Sequence, residues 1–191
     1  MPVSSRRRQS GELRHLPADA LKIVEAVAVG AVSAAVLRRT ERFMGENEAG
    51  CELCATPAGD VVWQDALCRV VRVADADYPG FCRVVWNAHV AEMTDLPGPE
   101  RRHMMTVVFA VEAALRSMYH PDKINLASFG NMVPHLHWHV IPRFRDDRHF
   151  PQPIFAAAQR PAGGHMPATV STSALHDAIV QALSEEHGGA A

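Results

Sequence analysis

Little in this sequence points to a nucleic-acid polymer or a bilayer. Beyond Arg6-Arg7-Arg8 there is no basic stripe, and the formal net charge is −2. A nucleic-acid polymer is held by clustered Lys and Arg that neutralise phosphates, so no such partner is expected. The longest apolar run, Ile23 to Leu37, still carries Glu25 and falls short of the ~20 residues that a bilayer crossing needs. Arg6-Arg7-Arg8 ahead of that run loosely imitates a signal peptide, but Asp19, Lys22 and Glu25 interrupt it, and the expected location is cytoplasmic. There are only four cysteines, in no secretory pattern, which favours metal ligands or buried thiols over disulfides. No internal repeat is visible. What is present is 48% apolar residues, enough for one globular core with extensions, and eleven histidines.

The composition divides the chain into three parts. Residues 1–47 are expected to be an N-terminal extension with a helix over 17–44, opened by Pro17 and closed by Arg38-Arg39. Met44 is an alternative start, which would leave residues 1–43 dispensable. Residues 48–158 carry the strand and helix signals of the main domain, and 159–191 read as a Pro/Gly/Ala-rich linker and a final helix. Short strands are expected at Val61–Trp63, Leu67–Val73 and Phe81–Trp86, close enough together for an antiparallel meander. From Glu100 to Tyr119, Met104, Val108, Val111, Leu115 and Met118 form one helical stripe, and Pro121 ends it. Another strand follows at Lys123–Phe129. Ser171 or Ser173 is expected to cap the last helix, which runs to about Glu186.

The chemistry concentrates in Pro134-His135-Leu136-His137-Trp138-His139-Val140-Ile141-Pro142-Arg143. Alternation with a period of two predicts a strand with His135, His137 and His139 on one face and Leu136, Trp138 and Val140 on the other. Imidazole adds little to a core and titrates near neutrality, so three in register favour function over packing. His137, flanked on both sides, is the natural nucleophile, because a neutral imidazole is competent once its other ring nitrogen donates to a fixed acceptor. Upstream, Cys51-Glu52-Leu53-Cys54 is a zinc knuckle or a redox pair. No thioredoxin-like pattern surrounds it, and with histidines downstream zinc is the better reading.

His135-Leu136-His137-Trp138-His139-Val140 resembles the His-x-His-x-His-x signature of the histidine triad (HIT) nucleotide hydrolases and transferases. The resemblance runs from about Cys51 to about Phe155 and points to the zinc-containing, bacterial-type branch. It implies an α+β fold, an antiparallel sheet of about five strands with one main helix, here with N-terminal and C-terminal helical extensions. It also implies attack of His137 on a nucleotide α-phosphorus, a nucleotidyl-histidine intermediate and a homodimer. His139 and Asn125 would hold the phosphate, Asn131 would offer a further amide, and Asp75, or else Asp77, would take the ribose hydroxyls. Cys51, Cys54, His89 and His135 would bind one structural zinc, with no organic cofactor. Dinucleoside polyphosphates and nucleoside phosphoramidates are the implied substrates, and a histidine in third place favours hydrolysis over transfer.

The chain also departs from the pattern. Gly130-Asn131-Met132-Val133 stands where Gly-Gln-Ser/Thr-Val is common, so Met132 offers no hydroxyl to a leaving group. Gly80-Phe81 and Trp86-Asn87 replace Gly-His and Pro-Lys. The rival readings are a zinc-stabilised nucleotide-binding or interaction module with little catalysis, and a redox protein using Cys51 and Cys54.

Overall fold

The computed structural model describes residues 48, 50–163, 168 and 170–188. The expected N-terminal helix over 17–44 lies outside the described residues. Five strands form one antiparallel sheet: β1 (Asp60–Gln64), β2 (Cys68–Arg72), β3 (Cys82–Trp86), β4 (Lys123–Ala127) and β5 (His137–Arg143). Their spatial order is β1-β2-β3-β5-β4. With the helices described below, this is the α+β fold read from the sequence. The three N-terminal strands are a meander, and the triad strand inserts between β3 and the edge strand β4. Valines at both alternating positions of β2 and β3 reflect burial on two sides: Val70 and Val84 join the helix-side core, while Val71 and Val85 pack on the other face with Cys51 and Leu53.

Among the described residues, three α-helices accompany the sheet. α1 (Glu52–Ala55) is a single turn that starts within the Cys-x-x-Cys stretch, where no helix was expected. α2 (Gly98–Tyr119) begins two residues before the expected start, since Pro99 fits a first helical turn that needs no N–H donor. It ends where His120 turns left-handed at φ 47°. Four of the five residues of its predicted stripe, Met104, Val108, Val111 and Leu115, are buried in the core with Val107 and Ala114, while Met118 is only partly buried against it. α3 (Thr172–Gly188) is capped by Ser171, whose Oγ accepts from the Ala174 N–H at 3.1 Å. Leu175 and Ile179 of α3 are fully buried in the same core as α2. Arg72 ties its start to the sheet, donating to the Val170 carbonyl at 2.8 Å and the Thr172 hydroxyl at 2.6 Å. No helix among the described residues is long and apolar enough to cross a membrane.

One correction concerns the triad. The strand starts at His137, so only two of the three histidines lie on it. Pro134 has no N–H to give a ladder, and the His135 N–H bonds back to the Val133 carbonyl at 2.8 Å, bending the chain. Regular spacing resumes when the Leu136 N–H reaches the Val90 carbonyl at 2.6 Å. The expected apolar face holds: Leu136 and Val140 lie in the helix-side core, and Trp138 packs against it.

Candidate functional site

The face of the sheet away from α2 carries His137, His139 and Arg143 from β5. Opposite them stand Arg83 from β3, paired with His139, and Asn125 and Ala127 from β4, paired with Ile141 and His139. The His137 Nδ1–H donates to the His135 carbonyl at 2.6 Å. That fixes the tautomer and leaves the Nε2 lone pair free. The His139 ring lies 4.8 Å from the His137 ring, between Phe81 at 5.5 Å, Phe155 at 5.6 Å and Phe129 at 6.0 Å. Burial pushes the pKa of His137 below the usual histidine value, against the pull of its backbone bond, and pushes that of His139 down to about 4, with His137 and Arg83 adding repulsion. Both imidazoles are therefore neutral at neutral pH, as a nucleophile requires.

These histidines line an open cavity of about 640 Å³ together with Leu53, Arg83, Phe129, Asn131, Val133 and Phe155. Its size suits a small-molecule ligand. Asn131 sits on its wall, and Met132 projects at 93% exposure. A second cavity of about 520 Å³ shares Phe129, Pro153 and Phe155 and adds Asn125, Lys123 and Ile154. Asn125 thus lies on the neighbouring lobe rather than beside His137. Asp75 lines neither cavity; its Oδ1 accepts from the Asp77 N–H at 2.9 Å in the turn after β2, and Asp77 pairs with Arg148.

Sequence reasoning missed the support beneath Asn125. Arg143 is buried and donates through Nε and one terminal nitrogen to Asp147 at 2.6 and 2.9 Å, and through the other to Asn125 Oδ1 at 2.6 Å. Burial alone would raise the Asp147 pKa, but Arg143 and the N–H groups of His149, Phe150 and Phe144 outweigh it and hold the carboxyl below its usual value. A guanidinium has no acceptor. It therefore dictates which end of the Asn125 amide faces it, and turns the NH2 outward. The only signal in the sequence was the i,i+4 spacing of Arg143 and Asp147, a weak one outside a helix.

A second cluster sits at the start of the triad. The ligand atoms of Cys51, Cys54, His89 and His135 lie within 4.8 Å of one another. His135 Nδ1 is 3.4 Å from each sulfur, and His89 Nδ1 is 3.4 Å from the Cys54 sulfur. Bond lengths of about 2.3 Å to sulfur and 2.0–2.1 Å to nitrogen, in a tetrahedron, put such atoms roughly 3.5 Å apart, so this set fits zinc. The His135 Nε2–H donates to the Trp86 carbonyl at 2.7 Å, which leaves Nδ1 unprotonated toward the sulfurs. Burial raises the Cys54 pKa in the metal-free cluster.

Comparison with known proteins gives a match of the HIT domain family to residues 57–146. Among solved structures, a histidine triad protein from Bradyrhizobium japonicum is 28% identical, with 68% of this chain and 90% of that one covered at a TM-score of 0.50. A histidine triad protein from Marinobacter aquaeolei VT8 is 27% identical, with 71% and 94% covered at a TM-score of 0.53. A histidine triad protein from Sinorhizobium meliloti 1021, 23% identical, covers 68% and 90% at a TM-score of 0.50 and shares the fold. No curated protein matches the chain.

Proposed function

With residues 57–146 of the chain belonging to the HIT domain family, we propose that it is a nucleotide hydrolase or transferase acting at the α-phosphate through a covalent His137 intermediate. The observation that carries this reading is the hydrogen bond from His137 Nδ1–H to the His135 carbonyl, which leaves a neutral Nε2 free in a ligand-sized cavity beside His139. Nε2 attacks phosphorus. The bond to the leaving group breaks, and its electron pair departs with the leaving oxygen or nitrogen, which takes up a proton. Water then displaces the histidine. Such chemistry is mostly positioning and charge stabilisation. A neutral His139 has one N–H to offer a non-bridging oxygen.

Dinucleoside polyphosphates or nucleoside phosphoramidates are the substrates in this reading, in a cytoplasmic homodimer. Zinc, held by Cys51, Cys54, His89 and His135, would supply cross-linking rather than reaction chemistry, fixing the segment before β1 to the start of the triad strand.

The test is to mix the protein with adenosine phosphoramidate, quench quickly and measure intact mass. An adduct of one adenosine monophosphate, labile to acid and stable to base, is expected. Binding without turnover would favour the rival reading of a binding module, to which the projecting Met132 lends some support.

The Arg143 fork makes a second expectation. Asn125→Asp keeps an acceptor for Arg143 but turns an oxygen, in place of an NH2, toward the ligand. Its melting temperature should match wild type, while its affinity for adenosine monophosphate falls at least about 30-fold, the worth of a charge-assisted hydrogen bond replaced by repulsion. Unchanged affinity in calorimetry would remove Asn125 from the binding site.

A further inference from the structure

Four arginines lie on the strands of the sheet, and three have clear partners. Arg69 donates to the Leu53 carbonyl at 2.6 Å and to Asn87, Arg72 to Val170 and Thr172, and Arg143 to Asp147 and Asn125. Arg83 has none. Among the described residues it makes no ion pair and no hydrogen bond, and its Nε is buried without a partner. Its one defined contact is the Phe81 ring, 5.7 Å from the guanidinium carbon. Phe81 is itself buried, and its ring lies 5.5 Å from that of His139.

Its position gives this lack of partners a meaning. Arg83 is paired directly with His139 on the neighbouring strand, and both line the cavity that holds His137. Side chains so paired start roughly 5 Å apart at Cβ, within reach of one shared ligand group. The other charged residue on the cavity wall, Glu52, makes no ion pair with it. A cation set against two buried imidazoles, with no counter-ion, carries uncompensated positive charge until an anion arrives. A guanidinium fork matches two oxygens of a phosphoryl group.

We propose that Arg83 is the anion-holding residue of this site, its guanidinium taking two non-bridging oxygens of the phosphoryl group that His137 attacks. The identity of that group as a nucleotide phosphate rests on the function proposed above; the anion site itself does not. Arg83 would then hold the negative charge of the phosphoryl oxygens opposite His139, at a position where the motif alone shows no cation.

The experiment compares wild type, Arg83→Met and Arg83→Lys in calorimetry with adenosine monophosphate, adenosine and tungstate, a tetrahedral oxyanion without a base. Melting curves check that each variant is folded. In Arg83→Met, affinity for adenosine monophosphate should fall about 30- to 100-fold, with adenosine affinity unchanged and tungstate binding lost. Arg83→Lys should fall in between, having charge without the fork. Arg83→Met that binds adenosine monophosphate or tungstate as wild type does would overturn the proposal, and so would equal losses for adenosine and its monophosphate. Wild type that takes up tungstate but neither adenosine compound would leave the anion site standing and overturn the nucleotide reading. Wild type that takes up neither tungstate nor adenosine monophosphate would overturn the anion site.

Discussion

His137→Ala is expected to abolish turnover, with a fall in kcat of at least about 10⁴-fold, while nucleotide binding and zinc content stay near wild type. The ring it removes donates to a carbonyl and ligates nothing, so the fold loses one hydrogen bond and some packing. His139→Ala should differ in kind. It removes a neutral N–H donor beside the phosphate and leaves the nucleophile, so the adduct still forms, but more slowly. His135→Ala should differ again, because His135 holds Cys51 and Cys54 through Nδ1 and the Trp86 carbonyl through Nε2. Its effect is on stability first and on rate second. Rapid-quench mass spectrometry of the three variants separates these roles; adduct on His137→Ala would mean that another group is the nucleophile.

Cys51→Ser carries the second large effect. Purified wild type should contain about one zinc per chain, the stoichiometry of one closed four-ligand site. The variant should release it, because serine is a poor replacement for a thiolate. Residues 51 and 135 are far apart in sequence, and the metal would cross-link them, so its loss falls on the folded state. A loss of about 3 kcal/mol would lower the melting temperature by roughly 6–12 °C in a domain of this size. Chelator treatment of wild type should reproduce the shift, and leave Cys51→Ser unaffected. Zinc-free wild type with an unchanged melting temperature would dismiss the metal.

The two periodicities carried most of the fold. The 3.6-residue stripe of α2 and the alternation of Leu136, Trp138 and Val140 were legible because each marks a face buried against something large. Strand limits moved by one or two residues, as at Cys68 and Cys82, where the ladder ends before the apolar residues do. The start of β5 was misjudged for a local reason: Pro134 and the His135 N–H bond to Val133 break the ladder although the alternation runs on through it. Of the site, the three histidines and the Cys51/Cys54 pair were legible because each set is closely spaced, whereas His89 and His135, far from the cysteines in sequence, were assigned to them by the family resemblance and lie beside them in the fold. Arg83 and Arg143 were not legible, since their meaning lies in pairing across strands: one is set apart by having no partner and the other by a partner at Asn125, eighteen positions away. Asp75, with Asp77, was expected near the ligand from the family resemblance, and in the turn after β2 its carboxylate accepts a backbone N–H.

The placement of α3 bears on how the chain is made. Leu175 and Ile179 are fully buried against the same core as Met104, Val108 and Leu115 of α2, yet they follow every strand of the sheet in the sequence. A ribosome delivers the sheet, the histidines and α2 first, and until α3 has left the exit tunnel the apolar surface meant for it stays wet. The nascent domain thus holds every residue of its site before it can close its core. Emergence of α3, rather than of the motif, is then the event that closes the core, and the interval before it is when a chaperone would have most to cover.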